Sequence, residues 1–146
     1  MADRVTPLVR SRMMSAVRGK NTAPERAVRT ALFGAGYRYR LHRRDLPGAP
    51  DIVLPRYDVA VFVHGCFWHG HCCPKGRRPT SNTRFWNAKL DSNVARDERN
   101  RAALLASGWQ VKTIWECEVR KGIAALLRSL ATAQSRRRGS ATERTR

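Results

Sequence analysis

Acidic side chains are scarce in this sequence: 11 Asp and Glu stand against 29 Lys and Arg in 146 residues, a formal net charge of +18 with His neutral. A charge this large in a small chain points to a polyanionic partner. Long apolar runs are also missing. None approaches the ~20 residues of a membrane span, and the polar opening Met1-Ala-Asp-Arg4 has no apolar stretch of a secretion signal behind it. The expected location is therefore the cytoplasm, at the nucleoid, with no membrane partner. Cysteine is sparse too. Cys66, Cys72, Cys73 and Cys117 could form two disulfides in a secreted chain, but here three of them lie among histidines, and metal is the better reading. A length of 146 residues leaves room for one compact domain plus tails, and 42% apolar content is enough to build a core.

The charge is unevenly spread. Residues 1–44 carry 11 basic and 2 acidic side chains, 75–101 carry 8 and 3, and 134–146 carry 5 and 1. Between them, residues 45–74 hold Arg56 alone against Asp45, Asp51 and Asp58. Two basic arms thus flank an acidic centre, an arrangement able to grip a phosphate backbone on both sides of a bound cation.

Residues 1–21 read as a basic arm and 134–146 as a basic, disordered tail, leaving a folded domain over 22–133. Thr22-Ala-Pro-Glu25 has the spacing of a capping box, and a helix follows to about Phe33 with Ala27, Val28, Ala31 and Leu32 inward. Tyr37–Leu41 alternates with period two and predicts a half-buried strand. Asp51–Leu54 and Asp58–Val63 predict two apolar strands around a turn. Residues 64–82, rich in His, Cys, Gly and Pro, form a long loop that something must hold together. Thr83–Ser107 is helical, with a break near Ser92, Trp109–Trp115 is a strand, and Val119–Ala131 is an amphipathic helix. Three strands on short connections make an antiparallel meander, and a fourth reached through a long helix is parallel to its neighbour. The fold class is α/β: a mixed sheet flanked by helices.

Three of the four histidines and three of the four cysteines fall within His64-Gly-Cys-Phe-Trp-His-Gly-His-Cys-Cys73. Zn²⁺ takes four N/S donors in a tetrahedron. Cys66, His69, His71, Cys72 and Cys73 compete for three places, with Cys117 closing the site. Asp51 opens a strand beside the end of the next, a common way to hold Mg²⁺ against a scissile phosphate. His64 and His69 flank that strand end and could serve as base or orient water. Phe67 and Trp68, fixed on the metal loop, suit insertion into a base stack, and Trp86 beside Arg84 could join them. Two other functions fit these residues: a nuclease whose clustered histidines hold the catalytic metal, and a zinc-stabilised nucleic-acid binder without catalysis. The acidic centre around Asp51 argues against the binder.

Together, Thr-Ala-x-Glu25, Leu-Pro-Gly-x-Pro-Asp51, Phe62-Val-His-Gly-Cys-Phe-Trp-His69, Phe85-Trp86, Asn93-Val-x-Arg-Asp97, Gly108-Trp-x-Val and Trp115-Glu-Cys117 make the chain resemble the very-short-patch-repair (Vsr) endonucleases over about residues 10–120. The resemblance implies a restriction-endonuclease-like fold and nicking of duplex DNA 5′ of the thymine in T:G mismatches left by 5-methylcytosine deamination. It implies Mg²⁺ on Asp51 and the backbone carbonyl of Val63, His69 as general base, and His64, Glu25 and Asp97 holding water or a second metal ion. It implies structural zinc on Cys66, His71, Cys73 and Cys117, with Cys72 a spare thiol, and a wedge of Phe67, Trp68 and Trp86. Relatives act as monomers, with mismatch-repair proteins and a repair DNA polymerase as partners.

Overall fold

The computed structural model describes residues 22–143, with side chains to 137; the expected arm over 1–21 and the last residues of the tail lie outside the described residues. In chain order the elements are α1 (Ala23–Gly34), β1 (Arg40–Leu41), β2 (Ile52–Leu54), β3 (Val59–His64), α2 (Thr83–Ala106), β4 (Gln110–Trp115) and α3 (Val119–Glu143). The four strands form one sheet in the order β1-β2-β3-β4. β1, β2 and β3 pair antiparallel, and β4 joins β3 in parallel from Val59↔Gln110 to His64↔Trp115. The meander with a crossover strand is therefore as the element order implied.

Alternation divides the core. Ile52, Leu54, Val59, Val61 and Ile114 pack with Val28 and Leu32 of α1 and Leu126 and Leu130 of α3. Val53 and Ala60, of opposite parity, are also fully buried and face the side of α2, whose Leu90 and Leu104 are buried in turn. Asp58 makes the β2–β3 turn with a left-handed backbone, φ 54°.

Three elements differ from the sequence reading. The strand expected over Tyr37–Leu41 keeps only Arg40 and Leu41, because its partner β2 offers three residues and the register uses two of them; Tyr37 and Tyr39 pack on the core without pairing. No break occurs near Ser92, and α2 runs unbroken with Asn93 buried on it. The last helix does not stop near Ala131 but continues through Glu143, across most of the expected disordered tail. Arg, Ala and Gln are good helix formers, and extending an existing helix avoids the cost of nucleation.

Candidate functional site

Thr22 caps α1, its Oγ1 accepting from the Glu25 amide at 3.4 Å. The other half of the expected box is turned to another use. The Glu25 carboxylate is buried and bonds to His42 Nε2 at 2.8 Å, and it accepts from Arg29 at 3.3 Å. Asp51, just before β2, reaches across to β3, where the Val63 N–H donates to Oδ2 at 2.8 Å. Burial pushes the Asp51 carboxyl up to about 6; the Val63 bond works against this, and the Glu25 carboxylate close by adds to it. Two carboxyls held this close need a proton or a cation between them. One donor atom each from Glu25, His42 and Asp51 lies within 4.8 Å of the others. His42, the one histidine outside the loop run, carries no signal in the sequence that separates it from the arginines around it.

At the end of β3, the ring of His64, its last residue, stacks on that of His69 with centroids 3.7 Å apart. His69 Nδ1 lies 2.6 Å from Asp97 Oδ2 on α2. Burial raises Asp97, but the hydrogen bond and charge of His69 outweigh it and hold the carboxyl below its usual range. An ionised carboxylate can only accept, so Nδ1 carries the proton and Nε2 is left as the basic nitrogen. Burial, followed by the neighbouring His69, drives His64 down to about 4, so its ring is neutral at pH 7. Asp97 of α2 is thus the hydrogen-bond partner of the His69 imidazole.

His71 goes elsewhere. Its Nδ1 is 3.5 Å from Cys117 Sγ, and its ring stacks on Trp115 at 4.2 Å. Donor atoms of Cys66, His71, Cys73 and Cys117 all lie within 4.8 Å of one another, whereas Cys72 is exposed. Donors around tetrahedral zinc, at bond lengths of ~2.0–2.3 Å, stand roughly 3.5 Å apart, so these four residues fit the ion. The thiols also crowd one another. Burial and neighbouring sulfurs push Cys117 up to about 12, while Cys73, despite desolvation, is drawn down to about 6 by its hydrogen bond with His71. Gly76 is required by this knot, since a Cβ there would collide with the His71 carbonyl. The histidine run is therefore divided between two places: His71 joins the cysteines, while one donor atom each from His64, His69 and Asp97 lies within 4.8 Å of the others, a set that could itself hold a metal ion.

Phe67 and Trp68 are half-buried, their rings edge to face at 5.0 Å. Trp86 is buried beside them, 5.4 Å from Phe67 and 6.0 Å from Trp68, and Phe85, half-exposed, leans on Trp86 at 5.2 Å. Asn93 Nδ2 donates to the Trp68 carbonyl at 3.2 Å and fixes the loop to α2. A cavity of about 860 Å³ joins these parts: Asp51, Glu25, His69, Phe67 and Trp68 all line it, with Lys89 and Arg96 supplying positive charge. Glu116 also faces it and accepts from the Cys66 amide at 3.3 Å, a link between the metal loop and the end of β4 that the sequence reading did not anticipate.

A carboxylate pair and a carboxylate-bonded imidazole at the end of a mixed sheet, in so basic a chain, have the donor chemistry that a nuclease needs. The family model described as DNA mismatch endonuclease Vsr matches residues 2–75. The chain is 54% identical over 119 residues (82% of this chain, 88% of the relative) to the type II nicking enzyme V.XorIIP of Xanthomonas oryzae pv. oryzae. It is 46% identical over 120 residues (82% and 86%) to V.NmeAIP of Neisseria meningitidis, and 40% identical over 120 residues (82% and 77%) to the DNA mismatch endonuclease Vsr of Escherichia coli. The chain belongs to the Vsr family of DNA mismatch endonucleases. Membership makes it a DNA-repair endonuclease acting on DNA and removes the non-catalytic reading. Among the described residues, no helix is long and apolar enough to cross a membrane.

Proposed function

We propose that this chain is a Mg²⁺-dependent, strand-specific endonuclease that nicks 5′ of the thymine in T:G mismatches, on a restriction-endonuclease-like core. The observation that carries the reading is Asp51 itself: a carboxylate raised to about 6 that shares one cavity with the Phe67 and Trp68 rings. The donors suit a hard cation, with Asp51 and the Val63 carbonyl to hold it and Glu25 and His64 to order water beside it. When bound, Mg²⁺ polarises the scissile phosphate and offsets the charge that develops there. His69 takes the proton of the attacking water at Nε2, and Asp97 fixes that tautomer and steadies the imidazolium that results. Cys66, His71, Cys73 and Cys117 hold zinc, which pins the loop carrying His69 and the rings to Cys117 beyond β4.

Selection of the lesion follows from stacking. A wobble pair is displaced more easily than a Watson–Crick pair, so a wedge of rings discriminates before any base edge is read. Phe67 and Trp68 form its leading edge, backed by Trp86, and stacking worth ~1–3 kcal/mol per base offsets the unstacking they cause. The test is strand-resolved cleavage of T:G duplexes in varied flanking contexts. We expect a nick in the thymine strand only, and Asp51→Asn to lower its rate by about 10³–10⁴-fold while the duplex is still bound. Equal cutting of a fully paired duplex would overturn the mismatch part.

A further inference from the structure

We propose that His42 supplies a nitrogen donor to the cation site of Glu25 and Asp51, and that this donor tilts the site from Mg²⁺ toward a first-row transition cation such as Mn²⁺. The inference rests on the reading of Asp51 as a metal carboxylate. His42 is delivered by strand pairing: Arg40 lies opposite Val53 and Leu41 opposite Ile52, so the next step sets His42 against Asp51, and its N–H donates to the Asp51 carbonyl at 3.1 Å. The backbone there is left-handed, φ 46°. Nε2 sits 2.8 Å from Glu25 Oε1, and a donor atom of Asp51 is within 4.8 Å of both.

Adjacent donors on a six-coordinate cation with bonds of ~2.1 Å stand about 3 Å apart and opposite ones about 4.2 Å, so the three groups suit one ion as well as they suit an ion pair. The site opens into the large cavity, which leaves further positions for phosphate and water. Mg²⁺ prefers oxygen and keeps its waters. An imidazole nitrogen adds little for it and more for Mn²⁺, Fe²⁺ or Co²⁺. An ion pair alone would give no such bias.

Electron spin echo envelope modulation of Mn²⁺ bound to the zinc-saturated protein tests this, together with competition of Mn²⁺ against Mg²⁺. We expect coupling to a directly bound ¹⁴N in the wild type. It should vanish in His42→Asn, chosen because Asn tolerates a left-handed backbone, with the Mn²⁺ over Mg²⁺ preference falling about tenfold. His42→Gln, a second variant, should behave alike and serves if the first fails to fold. Coupling absent from the wild type, or persisting in both His42 variants, overturns the role of His42 while Asp51→Asn still releases Mn²⁺. If Mn²⁺ binds undiminished to Asp51→Asn, the reading of Asp51 fails as well.

Discussion

Two of the three donor clusters among the described residues, one of thiols and one rich in oxygen, are built from opposite chemistries and by opposite routes through the chain. The thiolate cluster takes three of its four donors from one short loop, Cys66, His71 and Cys73, and closes on Cys117. Four protein donors leave no position for a substrate, so such a site holds structure. The oxygen-rich cluster draws Glu25 from α1, His42 from the end of β1 and Asp51 from the start of β2, and it faces a cavity. Its parts are carried by α1 and by the ends of paired strands. On the proposed reading, a soft, closed zinc site would stand in for a missing core in the loop, whereas a hard, open cation site would lie beside the core of the sheet.

If that contrast is right, damage to the thiolate cluster unfolds and damage to the oxygen cluster only disarms. The largest effect on stability is expected from Cys117→Ser: a loss of about 3–5 kcal/mol and a melting temperature lower by on the order of 10–20 °C, matched by chelation of the wild type. Nicking should fall with it, because the same loop carries His69, Phe67 and Trp68. Cys72→Ser should stay within ~0.5 kcal/mol of the wild type in the same melts. Equal damage from both substitutions would show that the donor set is not the one proposed.

Asp97→Asn sharpens the other side. Asp97 and His69 are each about a quarter exposed, and their 2.6 Å contact serves the imidazole more than the fold. A neutral amide neither fixes the tautomer nor steadies the imidazolium, so single-turnover nicking should slow by about 10–1000-fold with duplex affinity and melting temperature nearly unchanged. A drop in melting temperature comparable to that of Cys117→Ser would erase the contrast.

The same division decides what could be read from the sequence. Apolar runs such as Ile52–Leu54 and Val59–Val63 announce β2 and β3 directly, and clustered Cys and His announce a metal loop, since both signals are local. Assignments that depend on pairing were not legible. His42 reaches Asp51 only because β1 and β2 align in one register. Glu25 has the spacing of a capping residue, and nothing local reveals that its carboxylate turns inward to His42. Trp86 has the look of an exposed wedge but is buried by Phe67 and Trp68. α3 outruns its amphipathic pattern because a helix, once begun, continues through Arg and Ala without needing an apolar face.

A smaller effect than that of Cys117→Ser is expected on stability at the oxygen cluster, and its sign differs from that at the thiols. With its pKa raised from 3.8 to about 6 by burial, Asp51 holds a proton more tightly in the folded chain than in the unfolded one. Its contribution to stability is therefore fully present below about pH 4 and is lost as pH rises through about 6, above which the ionised carboxylate is a cost. Asp51→Asn removes the charge and keeps an oxygen for the Val63 N–H. Without divalent cations the variant should be more stable than the wild type by about 1–2 kcal/mol at pH 7.5, a discount on the full shift because the group is partly exposed. The gain should fade as pH falls toward 4 and shrink when Mg²⁺ is added, because the cation stabilises only the wild type. Thermal melts across that range decide it: a variant less stable than the wild type at neutral pH would mean that the Asp51 carboxylate holds the sheet together, as the thiolates hold the loop, and that the two clusters do not differ in kind.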